Sequence, residues 1–432
     1  MESRALVSLY DFDNLDGIFV DVDSRYKFCL LTLTGHAKPV KEGAEFAFFL
    51  HKVGELQEHE RTFTLSARDL ALINPNTRTC PIFRSKCDLD ITKSIYLRVP
   101  VLIKESPSEE NSWGIKFASI FHMSNDSHLF RTREQLEEDG WVLEGNIFHG
   151  DGEVYLPLYE GKMIWHFDHR FGGYEVDVLD DSQHNNPLKL IMPRYWVHES
   201  HMPNFMRDGR KTLLGFRDIT NTTNFRTSII SILPVVPCGN NLPNLILDPR
   251  FSREVTWLAS CNSSLAFDYV ARQKLGGTHM NFFLLKQLPV LPPSQYTAIC
   301  TWDNNVSLGD WIFPRAFELT YTAWDLEPFA KDCGYDGPPF HWNEERRFLL
   351  RCELDAAYFH LYGIERDDVD YIMETFPIVK RKDEKEFGEY RTKRVILEVY
   401  DEMRRAMESG DAYRTRLAPP PADRSVAHAP RE

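Results

Sequence analysis

The stretch Leu213-Leu214-Gly215-Phe216-Arg217-Asp218-Ile219-Thr220-Asn221-Thr222-Thr223-Asn224-Phe225-Arg226-Thr227 sets a polar block between two apolar runs. The runs read as short strands, and the block as the connection between them. Its residue types carry chemistry. Arg and Asn side chains read guanine and adenine edges bidentately, and Thr contacts phosphates or thymine methyls. Arg217, Asn221, Asn224 and Arg226 are therefore candidates for DNA contact. The same block also fits a polar β-turn in which Asn adopts special backbone angles. A second block, Arg272-Gln273-Lys274-Leu275-Gly276-Gly277-Thr278-His279-Met280-Asn281, closes an apolar helical pattern that spans Ser252 to Leu275. Its glycine pair is a helix stop, and it would also let backbone amides approach a phosphate. Lys274, Thr278, His279 and Asn281 join the candidates.

Working outward, residues 155 to 293 alternate short strands with Gly, Asn and Pro turns. Upstream, Ala5–Tyr10, Tyr26–Leu33 and Phe46–Leu50 read as three strands, the trailing edge of a sheet that begins elsewhere. Ser66 caps a short helix to Leu72, and Asp88 to Val99 forms another, stopped by Pro100. Lys104 to Asn111 reads as a linker. Downstream, Asn343 starts a helix that Gly363 closes, Asp367 to Phe376 ends at Pro377, and Glu389 to Met407 ends near Gly410. The Pro-rich segment 417–432 is expected to be a disordered tail.

The chain has 432 residues, 43% hydrophobic and 26% charged, which implies two to four globular domains of roughly 100–200 residues. Eight cysteines without a C-x-x-C pair argue against a disulfide scaffold and a cysteine zinc site. The opening Met1-Glu2-Ser3-Arg4 reads as no secretory leader. The uncharged run Thr227–Leu247 holds three prolines, so it is no membrane span. A cytoplasmic, soluble protein is expected. Net charge is −14, yet residues 191–290 carry 11 Lys and Arg against 6 Asp and Glu. A basic segment between acidic flanks suits local capture of an anion.

Other motifs exclude more than they suggest. Asp151 with Glu160-Gly161-Lys162 imitates a Mg²⁺-dependent nuclease, but the strand it needs is interrupted at Pro157. Lys162 is kept as a phosphate contact. His166-Phe167-Asp168-His169 and His198/His201 lie in turn-rich sequence without a third ligand, which favours structural histidines and no metal. Asp336-Gly337-Pro338-Pro339-Phe340 imitates the amine-binding element of amino-group methyltransferases, but Gly337 stands where the amine acceptor belongs.

Taken together the sequence resembles the C-terminal half of large adenine-specific DNA methyltransferases of restriction–modification and phage-defence systems. The resemblance runs from Ala5 to Met407. It rests on Ser8-Leu9-Tyr10-Asp11-Phe12, Arg25-Tyr26-Lys27-Phe28-Cys29-Leu30-Leu31, Asn74-Pro75-Asn76-Thr77-Arg78-Thr79 and Tyr159-Glu160-Gly161-Lys162-Met163, beside the two polar blocks and Leu288-Pro289-Val290-Leu291-Pro292-Pro293. It implies an α/β protein with trailing strands of a Rossmann-like methyltransferase sheet (1–63) and connecting helices and linker (64–150). A mixed α+β target-recognition domain (151–300) and a helical C-terminal domain (301–416) would follow. Phe19 and Tyr26 would flank a flipped adenine. The glycine-rich S-adenosylmethionine loop and the Asn-Pro-Pro-Tyr/Phe element are absent from the sequence, so no residue here is assigned to catalysis. The cofactor of the complete enzyme would be S-adenosylmethionine, held outside this chain. Double-stranded DNA is the implied partner, with a separate N-terminal methyltransferase half or other defence-system subunits. A non-catalytic DNA-binding subunit like a type I specificity subunit is the alternative.

Overall fold

The computed structural model describes residues 4–35 and 38–431. It is a mixed α/β structure of several sheets and many helices. The first sheet is formed by β1 (Leu6–Asp13), β2 (Lys27–Leu33), β3 (Ala44–Leu50) and β4 (Phe63–Leu65), in the order β2-β1-β3-β4. The β1/β3 pair is parallel and the other two are antiparallel. Burial falls off across the sheet toward its β2 edge. Phe46, Phe48, Phe63 and Leu65 enter the main core, whereas Leu30, Leu31 and Leu33 of the edge strand β2 face outward. Such an open apolar edge invites a further strand or partner.

The segment expected to connect domains does more than connect. Its β5 (Lys116–Ala118) is an edge of the central sheet, and β6 (Phe130–Arg131), β7 (Val142–Glu144) and β8 (Ile147–Gly150) belong to a five-stranded antiparallel sheet. That sheet is completed by β9 (Glu153–Pro157) and β10 (Trp196–His198). The region expected to start at 151 thus takes strands from upstream, because single short strands bury too little surface to stand apart. The proposed linker 104–111 is itself closed by reciprocal backbone bonds between Lys104 and Glu110.

The central sheet has the order β12-β11-β13-β5, with β11 (Leu213–Phe216), β12 (Ile230–Leu233) and β13 (Asn244–Ile246). Both of its faces are buried, which explains why its strands read as apolar runs instead of alternating ones. Leu214, Phe216, Ile230, Ile232 and Leu245 face the main core. Leu213, Ile229, Leu233 and Ile246 face a second core, which also holds Tyr159, Met163 and Ile164. At Gly215 a Cβ would meet the Leu233 Cδ1 at 2.8 Å, so the residue that packs Leu233 here is glycine. The main core runs from Ala44 to Leu417, so residue 300 is not a boundary between cores.

Several caps fall where the sequence places them. Ser66 accepts the Asp69 amide at the start of Ala67–Ile73. Asn343 accepts the Arg346 amide before Glu344–Leu361, and Gly410 (φ 79°) ends Arg391–Ser409. Each side-chain cap contributes about 1 kcal/mol. Two expectations are corrected. The pattern from Ser252 to Leu275 splits into Glu254–Ser263 and Leu265–Lys274, because Ser264 turns to extended backbone and its hydroxyl accepts the Phe267 amide. The helix expected to end at Pro377 does so, spanning Arg366–Glu374, but Pro377 also opens a further helix. It occupies the first turn of Pro377–Phe387, where its missing N–H costs nothing.

The second correction concerns the tail. Residues 417–431 pack onto helices Leu308–Thr320 and Glu344–Leu361 instead of extending freely. Leu417 is buried, Arg346 donates to the Pro419 and Pro420 carbonyls at 2.7 and 2.9 Å, and Glu318 accepts the Ala422 amide at 2.7 Å. The proline-rich composition lowers the entropy lost on ordering. The Asp336–Phe340 run is likewise structural. Phe340 is buried against Phe317, Tyr321 and Tyr335, and a Cβ on Gly337 would overlap the Tyr335 ring at 2.5 Å.

Removing residues 417–432 should lower unfolding free energy by roughly 2–4 kcal/mol, from lost apolar burial and the three charge-assisted hydrogen bonds to Arg346 and Glu318. Urea denaturation measures this, and an unchanged midpoint would mean that the tail contributes nothing. A second expectation concerns Asp355, which is buried and accepts the Leu265 amide at 2.7 Å. Burial pushes its carboxyl up to about 6. A raised folded-state value means stability is fully present below the unfolded value near 4 and is lost as pH rises through about 6. The stability of wild type minus that of Asp355→Asn should therefore fall between pH 4 and 6, and a flat difference would contradict this.

Candidate nucleic-acid interface

The two polar blocks, some fifty residues apart in sequence, meet in space. Ile219 and His279 form an antiparallel bridge. The Thr220 amide donates to the Thr278 carbonyl at 3.0 Å, and the Met280 amide donates to the Asp218 carbonyl at 2.7 Å. The result is one exposed edge carrying Ile219, Thr223, Asn224, Gly276, Gly277, Thr278, His279, Asn281 and Phe283. The loop Asn74–Thr79 borders it. Gln287 accepts the Asn76 and Thr77 amides and donates to the Thr77 hydroxyl, while the Ile82 amide donates to Gln273.

Beneath this edge the basic candidates are consumed internally. Arg226 is buried, its Nε donating to Asp268 at 2.8 Å, with a further bond to the Ser263 carbonyl. Asp268 is fully buried and also accepts the Thr227 and Ser228 amides, each at 2.9 Å. Arg272 clamps the other side of the loop, donating to the Asn224 and Phe225 carbonyls. Arg217 donates to the Ile164 carbonyl at 3.0 Å and to the Lys162 carbonyl at 3.3 Å, between the Trp165 and Phe171 rings. Burial pushes its guanidinium down to about 10. Lys274 is buried in a cage of carbonyls, donating to Ile73 at 2.7 Å and to Gln287, over the Tyr96 ring. Desolvation holds its ammonium well below the usual lysine range. Arg217, Arg226 and Lys274 thus build the loops that the sequence reading expected them to decorate.

The exposed candidates are shaped by local bonds. Asn221 accepts the Thr223 amide at 3.0 Å, the Asx turn that the alternative reading of this block describes. The Asn224 side chain stands exposed at the tip. His279 Nδ1 lies 2.7 Å from Asp218. Asn281 accepts the Leu284 amide and caps Phe282–Lys286. Lys162 is exposed, its ammonium 3.2 Å from the centre of the Tyr174 ring.

Phe19 and Tyr26 lie elsewhere, in the loop joining β1 to β2, 50% and 67% exposed. That loop is built on Asn14, a buried residue that the sequence reading passed over. Its amide donates to the Phe19 and Val22 carbonyls at 3.0 and 2.8 Å and accepts the Phe19 amide at 2.9 Å. Phe19 packs edge-on against Phe28. The signal available was the asparagine itself, a turn-forming residue directly after a strand.

The nuclease triple does not assemble. Asp151 sits in the β8–β9 turn at φ 50°, whereas Glu160 is buried, accepting Tyr174 at 2.7 Å and Asn241 at 3.3 Å. Among the described residues no group of three His, Cys, Asp or Glu could hold a metal ion. His169 pairs with Asp325 and His184 with Asp168, both at 2.9 Å. Among the described residues, no helix is long and apolar enough to cross a membrane. No protein-family model and no curated protein matches the chain.

Arg226→Ala should cost about 3–5 kcal/mol, because it removes the hydrogen-bonded cation of buried Asp268 and leaves only Arg272 at 4.0 Å. Any loss of DNA affinity in that variant should track the unfolded fraction. Chemical denaturation alongside binding checks this, and full stability with lost affinity would return Arg226 to the contact surface.

Proposed function

We propose that this chain is the DNA-recognition and C-terminal part of a site-specific DNA N6-adenine methyltransferase, completed by a separate N-terminal half. The observation that carries the reading is the convergence of the 218–224 and 276–281 loops on one edge. Two sequence-distant blocks rich in Asn, Thr, His and Gly expose side chains and backbone amides there, as reading base edges and phosphates requires. Exposed Ile219 and Phe283 on the same edge add apolar surface of the kind that contacts thymine methyls or base steps.

The second half of the reading concerns catalysis. Methyl transfer needs donor and amine held in line, and S-adenosylmethionine would supply the methyl group from a site on the other half. The β1–β2 hairpin supports such a partner. It presents Leu15, Phe19, Val20, Tyr26, Leu31 and Leu33 to solvent while Asn14 fixes the loop between its strands. A preorganised apolar surface is what a docking partner needs. The chain's own part is to bind and orient the duplex.

Fluorescence anisotropy on a pool of duplexes tests the recognition claim. The wild type should bind with affinity that falls as salt rises. A variant combining Asn224→Ala, Thr278→Ala and His279→Ala should bind about tenfold more weakly at unchanged melting temperature. Absence of wild-type binding at low salt, or equal binding by the variant, would overturn the reading.

A further inference from the structure

Between the loop 165–184, the loop at Phe225–Arg226 and the helices Glu344–Leu361 and Pro377–Phe387 lies a cavity of about 720 Å³. Trp165, Phe171, Phe225, Trp342 and Phe348 line it, together with His166. His166 stands out in its own sequence run. Asp168 bonds His184, His169 bonds Asp325, and Arg170 donates to the carbonyls of Asn186, Lys189, His184 and Thr322. His166 is 5% exposed, and among the described residues neither of its ring nitrogens has a hydrogen-bond partner. Buried polar atoms are nearly always paired, so an orphaned imidazole calls for a physical cause.

Two further observations point the same way. The Ser263 hydroxyl and the Arg347 Nε, on residues lining the same cavity, are also buried and without partners among the described residues. The backbone that delivers His166 is strained. Trp165 and Asp168 close a two-residue turn, with Phe167 held at φ 55°. A phenylalanine in that region costs of order 1–3 kcal/mol, and such strain concentrates at ligand sites.

We propose that this cavity binds a neutral purine-class ring, either a free nucleoside or a base turned out of DNA, with His166 hydrogen-bonding its edge. Burial, together with Arg226, Arg217 and Arg351, holds the His166 imidazole well below the usual histidine range. A neutral imidazole offers one donor and one acceptor, the pairing that a purine edge returns. Trp342 is already stacked on His184 with Arg347 over its ring, so the faces for stacking come from Trp165, Phe171, Phe225 and Phe348. Charge argues against an ionic occupant. Arg347, Arg351 and Arg391 disfavour a cation, and Asp168, Asp355 and Glu386 disfavour an anion. The free-nucleoside source stands apart from the DNA-recognition reading, whereas the flipped-base source rests on it.

The test titrates the full chain with adenosine, followed by the fluorescence of its tryptophans, and separately with duplex DNA carrying 2-aminopurine. His166→Phe keeps the ring volume and removes both nitrogens. Ser263→Ala removes the orphaned hydroxyl with little risk to folding, and decides the matter if His166→Phe does not fold. Adenosine binding that weakens about tenfold in His166→Phe and severalfold in Ser263→Ala supports a nucleoside site, even if duplex DNA does not bind. A 2-aminopurine signal lost in both variants, without adenosine binding, assigns the cavity to a flipped base. Wild type that gives neither signal, or variants that give the same signals as wild type, would overturn the proposal.

Discussion

The carboxylate of Asp268 is the point on which the edge proposed for DNA recognition depends. Fully buried on helix Leu265–Lys274, it takes one bond from Arg226 and one each from the Thr227 and Ser228 amides. A carboxylate in that setting is tolerable only when its lone pairs are filled by charge-assisted and backbone donors. Filling them ties the return of the 217–227 loop to the helix. Arg272, one turn further along the same helix, holds the loop's Asn224 and Phe225 carbonyls. The helix then ends at Leu275, which turns to extended backbone in place of the expected glycine cap, and the glycine pair after it leads the chain back along Ile219 and Thr220. The edge is therefore a consequence of one buried ion pair and one helix end.

This arrangement separates two roles that arginine and lysine can play. In sequence, Arg217, Arg226 and Lys274 look like the cationic teeth of a DNA-binding surface. In the fold they hold backbone carbonyls and one carboxylate, and leave smaller polar residues outside. An edge of Asn, Thr, His and backbone amides is weaker in long-range attraction than a row of cations but suits close reading. That balance agrees with a chain whose net charge is −14.

Much of the local structure was legible. Ser66 and Asn343 each carry a short polar side chain ahead of an apolar pattern, and Gly410 follows one; those signals need no long-range information. The strands β11 and β12 of the central sheet were visible as apolar runs because both of their faces are buried, whereas the exposed edge strand β5 was not. What the sequence hid is what depends on distant partners. Asp268 lies 42 residues from Arg226, and nothing in the local pattern around either marks the pair. Pro377 looks the same whether it ends one helix or begins the next. The tail's composition suggested disorder, but Glu318 and Arg346 supply the bonds that hold it. Asn14 was legible as a turn residue, though not as the core of a loop reaching to Val22. At His166, the lack of partners is visible only when its neighbours are in place.

Hydrogen–deuterium exchange with and without duplex DNA tests the central claim most directly, since it locates the contact without altering a residue. The account predicts slowed exchange at the amides of 219–224 and 276–281, with the β1–β2 hairpin unchanged because it is assigned to another partner. Duplex that leaves both loops unprotected, or that protects only the hairpin from Leu15 to Leu33, would contradict it.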